Sequence, residues 1–223
     1  MKAPNPTPAR LRPRGRSAAR PPSGRRDKRA RILAAGLKLF AKQPFQQVTM
    51  DKVAKLARVA KGTLYLYFPS KQSHYLGILA GGLEASALGL QNAISPDLDS
   101  AERLRRAIAA SIEFYYGRGD FLRLLATEQP RVGAERSRLL ESWRARGIEF
   151  FSAMLKEGIA SGVFRRIDSR LVAVAIIGTI RSVLLYCGTD RPVAELNREL
   201  ATLLFDGLLI GPHKLPRRAR RLC

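Results

Sequence analysis

Apolar residues recur at helical spacing along most of the chain. The first predicted helix spans residues 28–42 and carries one apolar stripe, formed by Ile32, Leu33, Gly36, Leu39 and Phe40. Pro44 ends it. Further stripes, separated by Pro, Gly, Ser and Asp, predict helices over residues 71–94, 100–116, 121–127, 134–160, 169–186 and 193–209. No segment shows convincing strand alternation. The pattern predicts an all-α protein, with a small N-terminal bundle followed by a larger one.

Two short helices are predicted between the first helix and the long helix that begins near residue 71. Thr49 is a suitable N-cap for the first of them, whose apolar positions fall at i, i+3, i+4 and i+7: Met50, Val53, Ala54 and Ala57. A break at residues 58–60 precedes the second, over residues 61–67. Two short helices joined by a turn of a few residues are typical of a helix-turn-helix, here residues 49–68, whose second helix can enter a DNA major groove.

The second short helix has an inner and an outer face. Leu64 and Phe68, spaced i, i+4, are predicted to pack inward. The outer face offers a cation and hydroxyl groups to phosphates and base edges, from Lys61, Thr63, Tyr65 and Tyr67. Gly62 lacks a Cβ and permits close approach to the DNA backbone. Thr49 and Lys71 lie where helix N-termini favour a phosphate. Taken singly, the tyrosines also fit half-buried aromatic residues and the lysines solvated charges.

The charge balance favours a polyanionic partner. The chain has 40 Lys and Arg against 18 Asp and Glu, a net charge of +22, and a hydrophobic fraction of 46% that suffices for a core. Residues 1–26 combine prolines and arginines with no acid, and predict a disordered basic arm. Residues 212–223 predict a shorter basic tail. We expect the arm to bind DNA phosphates without reading sequence.

Several other functions lack support in the sequence. Cys187 and Cys223 do not suggest a disulfide framework, and the distant His74 and His213 do not suggest a zinc site. No nucleophile elbow, phosphate loop, paired carboxylates or cofactor motif is apparent, so we expect no enzyme, metal or cofactor. The longest apolar stretch, residues 171–188, is interrupted by Arg181 and predicts a buried helix and no membrane contact. With no apolar leader, the expected location is the cytoplasm.

Residues 30–79 resemble the DNA-binding domain of the TetR family of bacterial transcriptional regulators. The resemblance rests on ILAAGLKLFAKQPF and VTMDKVAKLARVAKGTLYLYFPSK, and its most specific part is residues 62–68 followed by Ser70 and Lys71. It implies a homodimer with a three-helix DNA-binding domain, expected at residues 27–72. It also implies that Thr63, Tyr65 and Tyr67 contact DNA, that Lys61 lies near base edges or phosphate, and that Lys71 holds a phosphate.

Two positions depart from the pattern of this family. Arg58 stands in the turn where the family usually has Gly, so the turn is expected to be strained or differently shaped. Ala60 stands where the family favours Ser or Thr, which removes a side-chain N-cap worth on the order of 1 kcal/mol.

The remaining helices, residues 73–211, are expected to bind an unknown small-molecule effector and to form the dimer. By resemblance, the last two long helices form the dimer interface, although ordinary core packing also explains their apolar character. Candidate ligand-binding residues are the aromatic and soft side chains of the middle helices: Phe114, Tyr115, Phe121, Trp143, Phe150 and Met154. Glu113, Glu128 and Arg181 are charged candidates for recognising a polar ligand group.

The expected function is that of a ligand-responsive regulator. We expect a homodimeric repressor that a small-molecule effector releases from a pseudo-palindromic operator in double-stranded DNA. The alternative is a non-specific basic DNA-binding architectural protein, which the charge supports but which leaves the large helical domain unexplained.

Overall fold

All of the regular secondary structure in the described part of the chain is helical. The computed structural model describes residues 23–127, 132–187 and 191–206. These residues form nine helices and no strand, which confirms the all-α prediction. The helices are α1 (Ser23–Phe40), α2 (Met50–Ala57), α3 (Lys61–Tyr67), α4 (Lys71–Ala93), α5 (Ser100–Tyr116), α6 (Gly119–Ala126), α7 (Gly133–Ala160), α8 (Ser169–Tyr186) and α9 (Val193–Asp206).

The start of α1 differs from the prediction. The helix begins at Ser23, so residues 23–26 belong to it and not to a disordered arm. No proline occurs between Pro22 and Pro44, and Lys and Arg are good helix formers, so nothing in this segment interrupts the helix. The rest of the predicted arm, the tail at 212–223 and the end of the predicted last helix lie outside the described residues.

Side-chain caps set the start of several helices. The Thr49 hydroxyl accepts a hydrogen bond from the Lys52 amide (3.2 Å), as predicted. Ser70 and Ser73 form a reciprocal capping box at the start of α4. Asp168 accepts from two amides at the start of α8, at 2.8 and 3.1 Å. These caps explain why the predicted starts of α2, α4 and α8 agree with the structure.

At the N-terminal end of the described residues, α1 and α4 approach each other closely. His74 is fully buried, and its Nε2 lies 3.1 Å from the Ile32 carbonyl oxygen of α1. A Cβ at Gly36 would lie only 2.3 Å from the His74 ring, so glycine is needed there. Burial lowers the pKa of His74 to about 4, and the ring is neutral near pH 7.

The second part of the molecule is a bundle in which α5 contacts α4, α6, α7, α8 and α9. The most extensive helix pair is α7 with α8. By length and composition, α8 qualifies as a membrane-crossing helix, a test that core helices of soluble proteins also pass. Only 22% of α8 is buried, however, because one face packs in the bundle and the other exposes residues such as Leu171 and Val174. The prediction of a buried helix therefore holds for one face within a single protomer.

Candidate nucleic-acid interface and effector cavity

The helix-turn-helix forms where the sequence predicts it. Its turn contains Arg58 in the left-handed conformation, with φ 54° and ψ 51°, and the Arg58 amide donates to carbonyls at the end of α2. Arg58 is the only described non-glycine residue with positive φ. Ala60 precedes α3 in an extended conformation and makes no side-chain cap. Both predicted departures therefore have the expected local structure.

The α3 side chains divide between an inner and an outer face. Leu64 and Phe68 are buried, as predicted. Lys61 and Gly62 are exposed, Thr63 is half-buried, and Tyr65 leaves 41% of its surface accessible. A Cβ placed on Gly62 would meet no atom within 4 Å, so the space outside the start of α3 is open.

Four of the predicted DNA-contacting residues surround one shallow depression. Thr49, Lys61, Tyr65 and Lys71 all line it, and its volume is about 270 Å³. The Lys61 ammonium pairs there with Asp51 of α2, with 2.8 Å between nitrogen and oxygen, and this contact raises the pKa of Lys61. Both side chains are largely exposed, so a phosphate can compete with Asp51 for the lysine. The pairing of Lys61 with Asp51 was not predicted from the sequence.

Lys71 has partners that differ from its predicted role. Its ammonium donates to the carbonyls of Phe45 (2.8 Å), Gln46 (3.3 Å) and Val48 (2.9 Å), and lies 4.5 Å from the centre of the Phe45 ring. Its three N–H groups thus have carbonyl acceptors in the segment before α2. In this structure Lys71 fixes that segment and does not present its ammonium outward to a phosphate.

Tyr67 also differs from the expected outward position. Its half-buried side chain donates a hydrogen bond from the hydroxyl to the Arg25 carbonyl oxygen, at 3.2 Å. Arg29 lies nearby, over the Phe68 ring at 5.6 Å. The contact ties the end of α3 to the start of α1, directly beside the basic N-terminal segment.

Leu66 is an exposed residue of α3 that was not among the predicted DNA contacts. It lies between Tyr65 and Tyr67 on α3, and 84% of its surface is exposed. A leucine this exposed on a polar helix face can contact a thymine methyl group in a major groove. Its apolar character and its position outside the i, i+4 pair of Leu64 and Phe68 were the available signals.

Two cavities lie within the C-terminal bundle and share Trp143. The first cavity, about 420 Å³, is bounded by α5, α6, α7 and α8, and the predicted Tyr115 and Trp143 line it. The second cavity, about 250 Å³, lies between α4, α5, α7 and α8, and the predicted Trp143 and Phe150 line it. The walls are mainly apolar, as is usual for small-molecule sites.

Arginine residues supply the charge of the first cavity. Arg136, Arg144 and Arg181 line it, and its lining among the described residues includes no acidic side chain. Arg181 was a predicted candidate for recognising a polar ligand group. Glu113 instead accepts a hydrogen bond from Asn197 at 3.3 Å, and Glu128 lies outside the described residues.

The other three predicted ligand-binding residues lie in the core. Phe114, Phe121 and Met154 are buried and line neither cavity. Phe114 and Phe121 pack edge to face. The Phe121 ring also packs closely against Gly82 of α4, where an added Cβ would lie 2.2 Å from the ring. Aromatic residues at helical spacing most often serve packing, and these follow that rule.

Comparison with known proteins agrees with this architecture. The model described as "Bacterial regulatory proteins, tetR family" matches residues 32–73, and "Tetracyclin repressor-like, C-terminal domain" matches residues 97–185. The transcriptional regulator EthR of Mycolicibacterium smegmatis is 26% identical over 196 residues, covering 86% of this chain and 88% of that protein.

Two solved structures show the same fold. FadR from Bacillus subtilis, in complex with stearoyl-CoA, has a TM-score of 0.66 and 22% identity, covering 80% of this chain and 98% of its own. AibR, in complex with isovaleryl coenzyme A and operator DNA, has a TM-score of 0.67 and 16% identity, with 80% and 98% covered.

The helix-turn-helix, the helical bundle with its cavities and these matches together define a DNA-binding transcriptional regulator. The chain belongs to the TetR family of bacterial regulators. Members of this family are regulators and in general not enzymes.

Proposed function

We propose that this chain is a homodimeric repressor that binds a pseudo-palindromic operator and is released from it by an anionic, amphipathic effector. The main support is the open outer face of α3, which combines a cation, hydroxyl groups and the exposed Leu66. Such a face matches the mixture of phosphates, base edges and methyl groups in a major groove.

The proposed contacts fall into two groups. Thr49, Lys61, Gly62, Thr63 and Tyr65 are proposed to touch DNA directly, because they lie on or beside the open face of α3. Tyr67 and Lys71 are proposed to act through the segments that they hold, Tyr67 by its bond to Arg25 and Lys71 by its bonds to the loop before α2. A phosphate at the start of α4 would then meet backbone amides.

The proposed dimer uses the exposed apolar faces of α8 and α9. Leu171 on α8 is 65% exposed and Leu203 on α9 is 68% exposed, although both helices are rich in apolar residues. Pairing with a second copy would remove these faces from water. The two recognition helices would then meet successive major grooves, roughly 34 Å apart.

Selection of bound sequences from a random duplex library tests the operator proposal. The expected product is one short motif with two-fold symmetry, whose half-sites are centred about 10 base pairs apart. A Lys61→Ala, Tyr65→Ala double variant should lose this enrichment, whereas Arg138→Ala, at an exposed site on α7, should retain it. Uniform recovery of all sequences would instead support the architectural protein.

The effector class follows from the lining of the first cavity. Its three arginines face an otherwise largely apolar wall, and Arg144 and Arg181 form no ion pair among the described residues. A ligand with an anionic group and an apolar chain satisfies both features. The stearoyl-CoA and isovaleryl coenzyme A of the two fold relatives are compounds of this class.

Stearoyl-CoA is the first probe to test. Trp143 is the only tryptophan in the chain and lines both cavities, so its fluorescence should report binding. The compound should weaken binding to the selected operator. An Arg144→Met, Arg181→Met variant should bind it about tenfold or more weakly, because charge-assisted hydrogen bonds are removed. Tighter operator binding in its presence would contradict the proposed mode of release.

A further inference from the structure

The wall of the first cavity is linked to the DNA-binding domain by one side chain, Arg136. This residue lies in the first turn of α7, is half-buried and lines the cavity. Its Nε donates a hydrogen bond to the Tyr75 hydroxyl oxygen of α4, at 3.2 Å. Its terminal nitrogen donates to the carbonyls of Leu125 and Thr127 at the end of α6, both at 2.9 Å.

The hydrogen-bond acceptors of Arg136 in the described part of the chain are all neutral oxygens. The hydroxyl and carbonyl oxygens satisfy its hydrogen bonds, but no carboxylate pairs with it among the described residues. An anionic group in the cavity would interact with the guanidinium more strongly than neutral oxygens do. Occupancy of the cavity therefore competes with the bond to Tyr75.

Tyr75 connects Arg136 to aromatic residues of the DNA-binding domain. Its ring is fully buried and packs edge-on against Phe40 (5.2 Å) and Phe45 (5.6 Å), which stack on each other. Phe40 ends α1, and Phe45 belongs to the segment before α2, whose carbonyls hold Lys71. The Tyr75 hydroxyl needs a partner because it is buried, and Arg136 donates to it.

We propose that Arg136 is a positioning residue that couples the first cavity to the helix-turn-helix through Tyr75. With the cavity empty, the Arg136–Tyr75 bond biases α4 and the cluster of Phe40, Phe45 and Tyr75 toward the DNA-binding arrangement, and a bound operator shifts the remaining molecules to it. An anionic ligand group withdraws the guanidinium from Tyr75 and frees α4 to shift relative to α6 and α7. The proposal rests on the DNA-binding function proposed above and adds the side chains that transmit the signal.

Thermodynamic reciprocity permits a test without any effector. If the operator shifts α4 toward one of two arrangements, as proposed, it should also alter the surroundings of Trp143, the only tryptophan in the chain, which lines the cavity. In the wild-type dimer, the selected operator should change Trp143 emission on excitation at long wavelength. An unrelated duplex of equal length should not.

The decisive variants are Tyr75→Phe and Arg136→Met. Tyr75→Phe removes one hydroxyl and keeps the packed ring, so the fold should be retained. Each variant should bind the selected operator roughly five- to tenfold more weakly and lose the Trp143 response. The double variant should be no worse than Arg136→Met alone, since both changes break the same hydrogen bond.

Matched controls separate coupling from general effects. Arg138→Met removes a charge from an exposed site on α7, and Tyr116→Phe removes a hydroxyl that donates to the Arg191 carbonyl oxygen at 2.8 Å. Both should bind and respond like wild type.

Three outcomes are distinct. A Trp143 response that persists in Tyr75→Phe and Arg136→Met would overturn the proposal, even if these variants were less stable. A wild type that binds the operator without any Trp143 response would overturn it as well. Failure of the wild type to select any operator would instead contradict the proposed function.

Discussion

At the scale of single residues, the left-handed backbone of Arg58 in the turn between α2 and α3 is a site of strain that can be tested. Its φ of 54° is a conformation that costs a residue with a Cβ roughly 1–2 kcal/mol relative to glycine. Arg58→Gly should therefore raise the free energy of unfolding by about 1 kcal/mol, measured by urea denaturation. Arg58→Ala removes the same charge and keeps the Cβ, so it should not stabilise the protein. Equal stability of the two variants would contradict the strain argument.

The exposed position of Leu66 leads to a prediction about recognition of the operator bases. If its exposed side chain contacts a thymine methyl in the operator, replacing that thymine with uracil should weaken binding by about 0.8 kcal/mol, or roughly fourfold. Leu66→Ala should bind more weakly and show no difference between the two operators. If Leu66→Ala still bound the thymine operator more tightly than the uracil operator, another residue would contact that methyl group.

Single residues also show what the sequence could and could not predict. The inward packing of Leu64 and Phe68 and the cap at Thr49 follow from local spacing, and the structure agrees with them. The partners of Tyr67 and Lys71 were not predictable in this way. Their acceptors lie 42 and 23–26 residues away in sequence, so they depend on how α1 and the following segment pack against α3 and α4.

At the scale of helices, His74 makes the packing of α1 on α4 dependent on pH. Its pKa is about 4 in the folded protein, against an ordinary value of 6.5, because burial disfavours the charged ring. As the pH falls, His74 is therefore protonated at a higher pH in the unfolded chain than in the folded protein. The stability contributed by the neutral ring is complete above pH 6.5 and is lost as the pH falls toward 4, by about 3 kcal/mol.

Unfolding of the His74→Gln variant checks this expectation. A glutamine amide can donate to the Ile32 carbonyl oxygen but does not titrate. The variant should lose less stability than wild type between pH 6.5 and pH 4.5, while the carboxylates shared by both proteins contribute equally. Parallel pH profiles would show that His74 does not carry the dependence.

Helix boundaries and cavity walls differ in how far the sequence determines them. Capping residues and prolines act on adjacent backbone, so most predicted helix ends fall within a few residues of those observed. Cavity lining depends on how several helices face one another. Tyr115 therefore reaches the first cavity while Phe114, one residue earlier, lies in the core.

At the scale of the whole molecule, the net charge of +22 predicts strong salt dependence of DNA binding. Deleting residues 1–22 removes basic residues but leaves α1 and the Arg25 carbonyl that Tyr67 contacts. The plot of log K against log salt should flatten by roughly 0.9 for each phosphate that the arm no longer neutralises, with little change in preferred sequence.

A full-length variant with arm arginines replaced by glutamine keeps the length and removes the charge. It should show the same flatter slope as the deletion. An unchanged slope in both proteins would show that the arm does not contact phosphates.

The exposed face of α8 also bears on how the regulator responds to its own abundance. If two copies must pair through Leu171, Val174 and their neighbours before either recognition helix is correctly spaced, operator occupancy depends on the number of protomers in the cell. Below the dissociation constant of the dimer, the active species grows with the square of protomer concentration. Halving the gene dosage would then reduce active repressor about fourfold, and repression would switch over a narrower range of copy number than a monomer allows.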